Sequence, residues 1–538
     1  MLSRRSLSII LSSIFIALGL VAFSQSEQVL LNRDFEYSYQ SEIASKNTKS
    51  HSSIRPFLYS DVKALGNDSD LYYSPGVPFK KLANKEKSNH PATLTFLPLV
   101  NVGFGFESGD SASNYSALGI GASALFKYKD ALAVRINAST HKDQLPNYLE
   151  ENATSKRVTP DGIVYKSNED GLRYTNINGY LSWNTAKYFN IQVGNGKNFI
   201  GSGYRSMLLS DHAGNYGYGK ITTSIWRIKY VVLYANQKDI NNTMSTKSKD
   251  WRNKYSTTHY LSWNLAKWLN VGLFESVVWK AQDTLLNRGF DVNYLNPIIF
   301  FRPVEFSTGS SDNSILGLNL EIKPTNKFHI YAQMMLDEFL YDEFMKDVKE
   351  AFNPGSQSEY GWWANKHGFQ LGFKWYEMFG IPGLGIQSEY NWMRPFTHSH
   401  ADPIQNYGHQ NNSLAHPLGS NFMESITFLN YSVYNWFFQF QFAWYNQGLS
   451  TQNENFGEDI YRSYRERENE YGHVTTQGVP KTVTNIGLRT SYLVYPESNL
   501  RVFIGARNRM EVINGVQKGA LYTEFGISTS LFNSYTDI

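Results

Sequence analysis

Cysteine is absent from the chain, so its 538 residues can form neither a disulfide nor a thiolate metal site. Beyond residue 24 the chain also lacks an apolar run of the roughly 20 residues that a transmembrane helix requires. The chain also has little excess charge of either sign, since its formal net charge is only +3. This balance gives no basis for a nucleic-acid partner. Length alone would allow several soluble domains, so the class of protein has to come from the pattern of residues.

The N-terminus resembles an export signal. Arg4 and Arg5 form a basic region, residues 7–23 are apolar, and Ala22-Phe23-Ser24 has the small-x-small form of a cleavage site. We therefore expect residues 1–24 to be a signal peptide; a membrane-anchor helix is the alternative. No cysteine follows the apolar region, so an N-terminal lipoprotein is not expected.

Aromatic residues are abundant. The chain has 36 Tyr, 34 Phe and 12 Trp, while its mean hydropathy is −0.41. An exported chain that is polar on average but rich in aromatics is typical of a transmembrane β-barrel, in which lipid-facing residues alternate with wet ones and aromatics form girdles.

From residue 93 onward apolar and polar residues alternate. In residues 436–444 the even positions are all aromatic, whereas Gln439 and Gln441 occupy odd positions. Strict alternation places successive side chains on opposite faces of a sheet. Ionisable groups are costly toward lipid, so we expect those on the strands to face the lumen. They are Arg135, Glu321, His329, Glu389, Arg501, Arg507 and Arg509.

The spacing of these segments predicts about eighteen strands, an even number. They start near residues 93, 116, 131, 174, 188, 219, 230, 255, 268, 314, 327, 366, 382, 424, 437, 482, 499 and 519. Every second connection is short, and those between are mostly long, as in 142–173, 195–218, 239–254, 281–313, 338–365, 394–423 and 449–481. A soluble β-sandwich shares the alternation but has no reason to segregate loop lengths. The prediction is an all-β, transmembrane, antiparallel outer-membrane β-barrel over residues 93–538, with the long loops outside.

Residues 25–92 differ from the rest, because they are polar and alternate little. We expect a periplasmic segment or plug that closes the lower mouth of the barrel; a disordered linker is the alternative. Within the barrel, Tyr180-Leu181-Ser182-Trp183-Asn184 recurs as residues 260–264, and in both copies Ala-Lys and a returning strand follow after one intervening residue. The two copies indicate one solution to a tight periplasmic turn.

Three loop motifs carry specific information: Gly196–Asp211, Tyr294–Glu305 and Tyr390–Gly419. Apolar runs in the first two, at 207–209 and 298–301, predict that these loops fold inward or pack on other loops. At these motifs the chain resembles the capsule-assembly outer-membrane lectins of the Wzi type, in the branch from Bacteroidetes-like bacteria that includes gliding-motility-associated RemB-type proteins. The resemblance covers most of the chain from about residue 93. It implies an eighteen-strand barrel that holds surface polysaccharide at the cell exterior, with a role in surface adhesion or gliding.

The candidate site rests on the residues themselves, because sugar recognition needs aromatic faces beside hydrogen-bonding groups. The third motif carries four histidines (His398, His400, His409 and His416), and Arg394 follows a strand directly, where its fork of donors can hold loop carbonyls or a carboxylate. We expect polysaccharide-binding or loop-organising roles for Arg205, Asp211, Arg302, Glu305, Trp362, Trp363, Arg394, Asn406, Tyr407, His409 and His416. The run 461–467, Tyr-Arg-Ser-Tyr-Arg-Glu-Arg, adds a basic aromatic patch.

The alternatives to polysaccharide binding are a channel, an enzyme and a metal site. A porin-like channel for small solutes is the main alternative, since eighteen strands can enclose an aqueous pore. Ser206 or Ser210 with Asp211 and the histidines would suggest a hydrolase, but no nucleophile elbow accompanies them, so no enzyme is expected. His398-x-His400 with Asp402 is weak evidence for a metal, so no metal or cofactor is expected. The expected partners are surface polysaccharide, outer-membrane lipid, the barrel-assembly machinery during biogenesis and other surface or motility proteins.

Overall fold

The computed structural model describes residues 26–63, 91–109, 112–159, 161–168, 171–282, 289–297 and 312–538. The predicted signal peptide, the candidate site residues Arg302 and Glu305, and the apolar run 298–301 lie outside the described residues. Within the described residues, eighteen strands form one closed antiparallel barrel. The predicted fold class is therefore confirmed.

Each barrel strand pairs with its neighbours in chain order, and the last pairs with the first, for example Asn101 with Ser528. The predicted strand starts are accurate, the largest differences being three residues, as between 116 and Ser113. The strands are β1 (Ala92–Ser108), β2 (Ser113–Tyr128), β3 (Leu132–Gln144), β4 (Gly171–Ala186), β5 (Phe189–Gly196), β6 (Tyr216–Ile225), β7 (Ile228–Asp239), β8 (Arg252–Ala266), β9 (Leu269–Lys280), β10 (Asn313–Ile322), β11 (Phe328–Leu336), β12 (His367–Tyr376), β13 (Leu384–Met393), β14 (Phe422–Val433), β15 (Trp436–Leu449), β16 (Val479–Tyr495), β17 (Leu500–Ile513) and β18 (Val516–Thr529).

Connection lengths differ between the two ends of the barrel. At the end that we call the short-turn end, the connections are 129–131, 187–188, 226–227, 267–268, 323–327, 377–383, 434–435 and 496–499. At the other, the long-loop end, they are 145–170, 197–215, 240–251, 281–312, 337–366, 394–421 and 450–478, with two short turns at 109–112 and 514–515. The predicted segregation of short turns from long loops is confirmed.

Side chains alternate across the barrel wall as the sequence predicts. On β15, Gln441 points into the lumen, where its Nε2 donates to Asp537 Oδ2 at 2.6 Å, while Phe440 points outward. Outward-facing apolar side chains are highly exposed in the isolated chain, as for Phe96, Ile120 and Leu488. The ionisable residues predicted for the lumen are buried, except Arg507, which is half-buried and bonds Tyr148 Oη inside the barrel. The barrel therefore has an apolar outer band and a polar interior.

Helices are few and short. They are α1 (Arg33–Glu36), α2 (Gln40–Ala44), α3 (Tyr59–Lys63), α4 (Asn147–Lys156) and α5 (Tyr341–Phe352). Among the described residues, no helix has the length and apolar character needed to cross a membrane. Single 3₁₀ turns occupy Ser248–Asp250, Val292–Leu295, Met378–Gly380, Pro403–Gln405, Tyr464–Glu466 and Pro496–Ser498. Minor ladders join Ile54–Arg55 to Phe199–Ile200, Val158–Thr159 to Gly162–Asn168, and Gly408–His409 to Asn412–Ser413.

The repeated pentapeptide has one structural role in both copies. In the first, Asn190 Nδ2 donates to Ser182 Oγ at 3.0 Å and to Asn184 Oδ1 at 2.7 Å. In the second, Asn270 Nδ2 makes the two equivalent contacts, both at 2.9 Å. In both copies a register shift follows the pentapeptide, between Asn184 and Ala186 in the first and between Asn264 and Ala266 in the second. The amide network satisfies lumen-facing polar groups beside a tight turn, which explains why the pattern recurs.

Residues 26–63, which we call the N-terminal plug, lie inside the barrel at the short-turn end. Their ion pairs and hydrogen bonds reach strands around the whole circumference. Gln28 Nε2 donates to Gln192 Oε1 at 2.6 Å on β5, His51 Nδ1 lies 2.7 Å from Ser262 Oγ on β8, and Asp34 pairs with Arg489 at 3.3 Å on β16. The contacted strand residues lie toward the short-turn ends of strands on different sides of the barrel, so the plug fills that end of the lumen.

Candidate functional site

The long-loop end is covered by residues 394–421, which we call the cap loop. Nearly all of its residues are buried. Arg394 anchors its start: Nη1 donates to Asp347 Oδ2 at 2.7 Å, and Nη2 donates to the carbonyl oxygens of Trp362 at 3.1 Å and His473 at 3.3 Å. A carboxylate and loop carbonyls are the kinds of acceptor that its fork of donors was expected to hold, although the particular residues were not predicted. One guanidinium thus ties together the loops 337–366, 394–421 and 450–478.

Asn406 and Tyr407 hold the centre of the cap loop. Lys254 Nζ donates to the Asn406 carbonyl oxygen at 2.9 Å and to its Oδ1 at 2.6 Å. Tyr407 Oη donates to the Leu208 carbonyl oxygen at 2.8 Å. Both side chains are almost fully buried. They join the cap loop to the barrel wall and to the loop beneath it, and neither faces outward.

His409 links the cap loop to two other segments. Its Nδ1 accepts from the Lys238 backbone N–H at 2.9 Å, and its Nε2 lies 3.1 Å from the Asn215 carbonyl oxygen. The ring is therefore neutral, with the proton on Nε2. Burial lowers the pKa of His409 to about 3, which agrees with the neutral tautomer. Burial likewise lowers the pKa of His398 to about 3, and its ring lies 5.2 Å from that of Tyr407.

Beneath the cap loop, residues 197–215 fold into the lumen, and we call them the inward loop. Met207, Leu208 and Leu209 are almost fully buried in one apolar cluster with strand residues such as Ile315 and Phe422. The inward folding that their apolar character predicted is confirmed. Burying these three side chains removes apolar surface from water, and each Å² removed stabilises the folded protein by about 25 cal/mol.

Arg205 and His416 meet at one carboxylate inside the barrel. Arg205 Nη2 lies 2.8 Å from Glu424 Oε1 and 3.1 Å from Asp537 Oδ1, and His416 Nε2 lies 2.7 Å from Glu424 Oε2. All four side chains are buried. Burial by itself would lower the pKa of Arg205, but the carboxylates of Asp537 and Glu424 outweigh it and raise that pKa well above its usual range. Removing one partner would leave a buried charge unpaired, which costs roughly 3–5 kcal/mol.

Asp211 joins the inward loop to the plug and to residues 530–538, which we call the tail. Its carboxylate accepts from Tyr535 Oη and, at 2.6 Å, from Asn533 Nδ2. Arg33 of the plug lies 3.7 Å away and donates to the Tyr204 carbonyl oxygen at 2.6 Å. The inward loop, plug and tail therefore form one hydrogen-bonded body inside the lumen.

Among the candidate residues that the structure describes, Trp362 and Trp363 are only half-buried, whereas the others are buried. Arg467 lies over the Trp363 ring at 3.9 Å, and the Tyr464 ring centroid lies 4.6 Å from it. The indole Nε1 of Trp363 donates to Glu470 Oε2 at 2.7 Å. We call Trp362, Trp363, Tyr464 and Arg467 the outer aromatic cluster. It joins aromatic faces to charged hydrogen-bonding groups at the surface of the long-loop end.

A buried lysine supports this cluster from below. Lys366 Nζ lies 3.2 Å from Asp337 Oδ2 and 3.1 Å from Glu338 Oε1, and it lies 4.8 Å from the Tyr464 ring. Burial alone would lower the pKa of Lys366, but the two carboxylates reverse the effect and raise it. Because the ammonium stays charged, it keeps both ion pairs and so holds Tyr464 in place from beneath the cluster.

The lumen is not completely filled. A cavity of about 460 Å³ remains between the wall formed by β1–β3 and β16–β18 and the plug and tail. Tyr115, Tyr148, His212, Arg507 and Glu524 are among its lining residues. Its lining runs from α4 at the long-loop end to Gln40 and Ser530 at the short-turn end. A cavity of this size is in the range that binds small molecules.

The serines considered for catalysis are engaged in the structure. Ser206 Oγ donates to the Ile200 carbonyl oxygen at 2.6 Å, and Ser210 Oγ donates to that of Ala415. Across the described ranges, no three His, Cys, Asp or Glu side chains come together in an arrangement that could hold a metal ion.

No protein-family model matches the chain, and no curated protein matches it in sequence. Similarity appears at the level of structure. The chain resembles Wzi of Escherichia coli, described as an outer membrane protein involved in group 1 capsule assembly and a carbohydrate-binding β-barrel, with a TM-score of 0.53 and 10% identity over 92% of this chain and 98% of that one.

Two further structures align less closely. They are OccK8 (OprE) of Pseudomonas aeruginosa, with a TM-score of 0.42 and 9% identity, and OccAB2 of Acinetobacter baumannii, with 0.42 and 8%. Each alignment covers 81% of this chain and 97% of the other. At such identities the similarity to Wzi establishes the fold alone, and that fold is an outer-membrane β-barrel.

Proposed function

We propose that this protein is a non-enzymatic outer-membrane barrel that binds or organises surface polysaccharide at the cell exterior, where its long loops lie. The outer aromatic cluster is the observation that carries the proposal. The fold shared with a carbohydrate-binding barrel supports it. The apolar outer band contacts outer-membrane lipid, and the chain reaches the membrane through the barrel-assembly machinery.

The cluster has the chemistry that a sugar polymer requires. Aromatic rings offer flat apolar faces, and Tyr and Trp add a polar edge. Arg467, whose guanidinium pairs with Glu470 in the structure, supplies a positive charge that also suits the carboxylate of an acidic sugar. Because Arg394 and Lys366 fix the loops beneath, little conformational freedom is lost when a polymer binds, and such preorganisation favours affinity.

The buried candidate residues have a different part in this proposal. Arg205, Asp211, Arg394, Asn406, Tyr407, His409 and His416 organise the loops and do not contact the polymer. Among the candidates in the described part of the chain, Trp362 and Trp363 contact the polymer. The family resemblance extends the proposal to surface adhesion or gliding, with other surface or motility proteins as partners.

Binding of purified surface polysaccharide to the detergent-solubilised protein tests the proposal. Trp362→Ala should weaken binding by roughly tenfold, since an aromatic contact contributes about 0.5–1.5 kcal/mol beyond its area burial. Trp226→Ala is the matched control, because Trp226 is an exposed tryptophan in a turn at the opposite end of the barrel. Equal affinities for all three proteins, or no binding by the unaltered protein, would refute the proposal.

A porin-like channel is the second candidate, and the lumen cavity favours it. A cavity lined from one end of the barrel to the other could pass a small solute along the wall of β1–β3 and β16–β18. Single-channel recording separates the two functions. Steady open conductance through the unaltered protein supports the channel, whereas electrical silence together with polysaccharide binding supports the binding function.

A further inference from the structure

The helix α5 has a strongly amphipathic sequence. Its apolar residues Tyr341, Phe344, Met345, Val348 and Phe352 occupy helix positions i, i+3, i+4, i+7 and i+11. This spacing places them along one face of the helix. The helix begins shortly after β11 ends, in the loop 337–366, so it lies at the rim of the long-loop end.

One edge of this face packs on the outside of the barrel wall. The Phe344 ring lies 5.6 Å from the ring of His367, which lies 5.4 Å from that of Trp392. His367 has the same parity on β12 as the exposed residues Phe369 and Leu371, so it belongs to the outward side of the wall. The helix therefore rests against the face of the barrel that carries the apolar band.

The two ends of the apolar face are uncovered, while Met345 and Val348 between them are half-buried. Phe352 is 88% exposed and Tyr341 65% exposed, and Leu340, just before the helix, is 52% exposed. This apolar stripe continues the outward-facing band through the aromatic contacts of Phe344. Large exposed apolar patches mark sites that bind proteins or membranes. Because this patch is continuous with the lipid-facing band, lipid is the partner that its position favours.

The opposite side of α5 faces the loops. Asp347 Oδ2 accepts from Arg394, and Asp347 Oδ1 accepts from the Gly361 backbone N–H at 2.6 Å. Lys346 Nζ pairs with Glu343 Oε1 at 2.8 Å. The charged side therefore provides both a polar surface for the headgroup region and the carboxylate that fixes the cap loop.

We propose that α5 is an interfacial helix that inserts its apolar stripe into the outer leaflet beside the barrel. Helices of this kind lie in the plane of the membrane with the apolar face roughly 5–10 Å below the headgroup boundary. Through Asp347 and Arg394, the inserted helix would set the cap loop and outer aromatic cluster at a fixed height above the membrane. The inference does not depend on what the cluster binds.

The absence of cysteine allows a direct test with single spin labels. Phe352→Cys and Tyr341→Cys place the label on the apolar stripe, and Lys346→Cys places it on the charged side as a control. The full chain is reconstituted into phosphatidylcholine vesicles, and collisions of each label with oxygen and with a water-soluble nickel chelate are measured. Heat-modifiable gel mobility checks that each barrel is folded, and two stripe positions guard against one variant failing to fold.

Both stripe labels should collide mainly with oxygen, at a depth of roughly 5–10 Å, and the Lys346→Cys label should collide mainly with nickel. If either folded stripe variant is as accessible to nickel as the control, the stripe faces water or awaits a protein partner, and the proposal is wrong.

Discussion

Arg394→Ala is predicted to loosen the cap loop while the barrel stays folded. The change removes a charge-assisted hydrogen bond to Asp347 and two bonds to carbonyl oxygens. Deleting one partner of a buried ion pair costs roughly 3–5 kcal/mol. Asp347 has a side chain that is 17% exposed and keeps its bond from Gly361, so the lower end of about 3 kcal/mol applies.

That loss raises the open population of the loop by roughly a hundredfold, since about 1.4 kcal/mol is a factor of ten. The strand ladders do not involve the guanidinium, so heat-modifiable barrel should form at normal levels. Residues 395–421 contain no Lys or Arg, so chymotrypsin, cutting after the buried Tyr407, is the suitable protease. When loop closing outpaces cleavage, the cleavage rate follows the open population.

Arg465→Ala is the matched control, because Arg465 lies in a neighbouring long loop and is exposed. The control should be cleaved after Tyr407 at the rate of the unaltered protein. If Arg394→Ala is cleaved no faster than the control, the cap loop is not held through Arg394.

Three further predictions follow from the fold. Phe440→Arg should lower the yield of folded, heat-modifiable barrel far more than Gln441→Arg, because a lipid-facing charge at the bilayer midplane destabilises a barrel by roughly 2–4 kcal/mol. Equal yields of the two variants would show that Phe440 does not face lipid. Burial holds the pKa of His398 and His409 at about 3, below the usual 6.5, so only the opened loop takes up their protons. The stability of the closed cap loop should thus be greatest above about pH 6.5, and each histidine should reduce it by up to about 1.4 kcal/mol for every pH unit toward pH 3. Deuterium exchange of the cap-loop amides, corrected for intrinsic rates, should show lower protection at pH 5 than at pH 7. Equal protection at the two pH values would contradict this prediction. In intact cells, a label that does not cross the membrane should modify Glu468→Cys but no cysteine in a short turn, and the reverse pattern would invert the orientation.

The barrel could be predicted from the sequence because its signals are local. Alternation within each strand and the contrast between short turns and long loops both lie within a few tens of residues, so the strand starts are accurate. The repeated pentapeptide likewise reports a turn from neighbouring residues alone.

The partners of the candidate residues could not be predicted, because they lie far away along the chain. Arg394 meets Asp347 across 47 positions, and Arg205 meets Asp537 across 332. Residues such as Asn406 and His409 looked suited to polysaccharide, yet they are buried and point toward other loops. Helix α5 was not predicted either, although the spacing of its apolar residues was a sufficient signal.

Retention of surface polysaccharide on living cells tests the central claim most directly. Cells of the source bacterium that lack this protein are complemented with the unaltered chain, with Trp362→Ala or with the control Trp226→Ala, each at equal levels of folded barrel. Polysaccharide attached to the cells and polysaccharide released into the medium are then measured. We predict that the unaltered chain and the control restore attachment, while Trp362→Ala releases most of the polymer. Equal attachment with all three chains, or no difference from cells that lack the protein, would contradict the account.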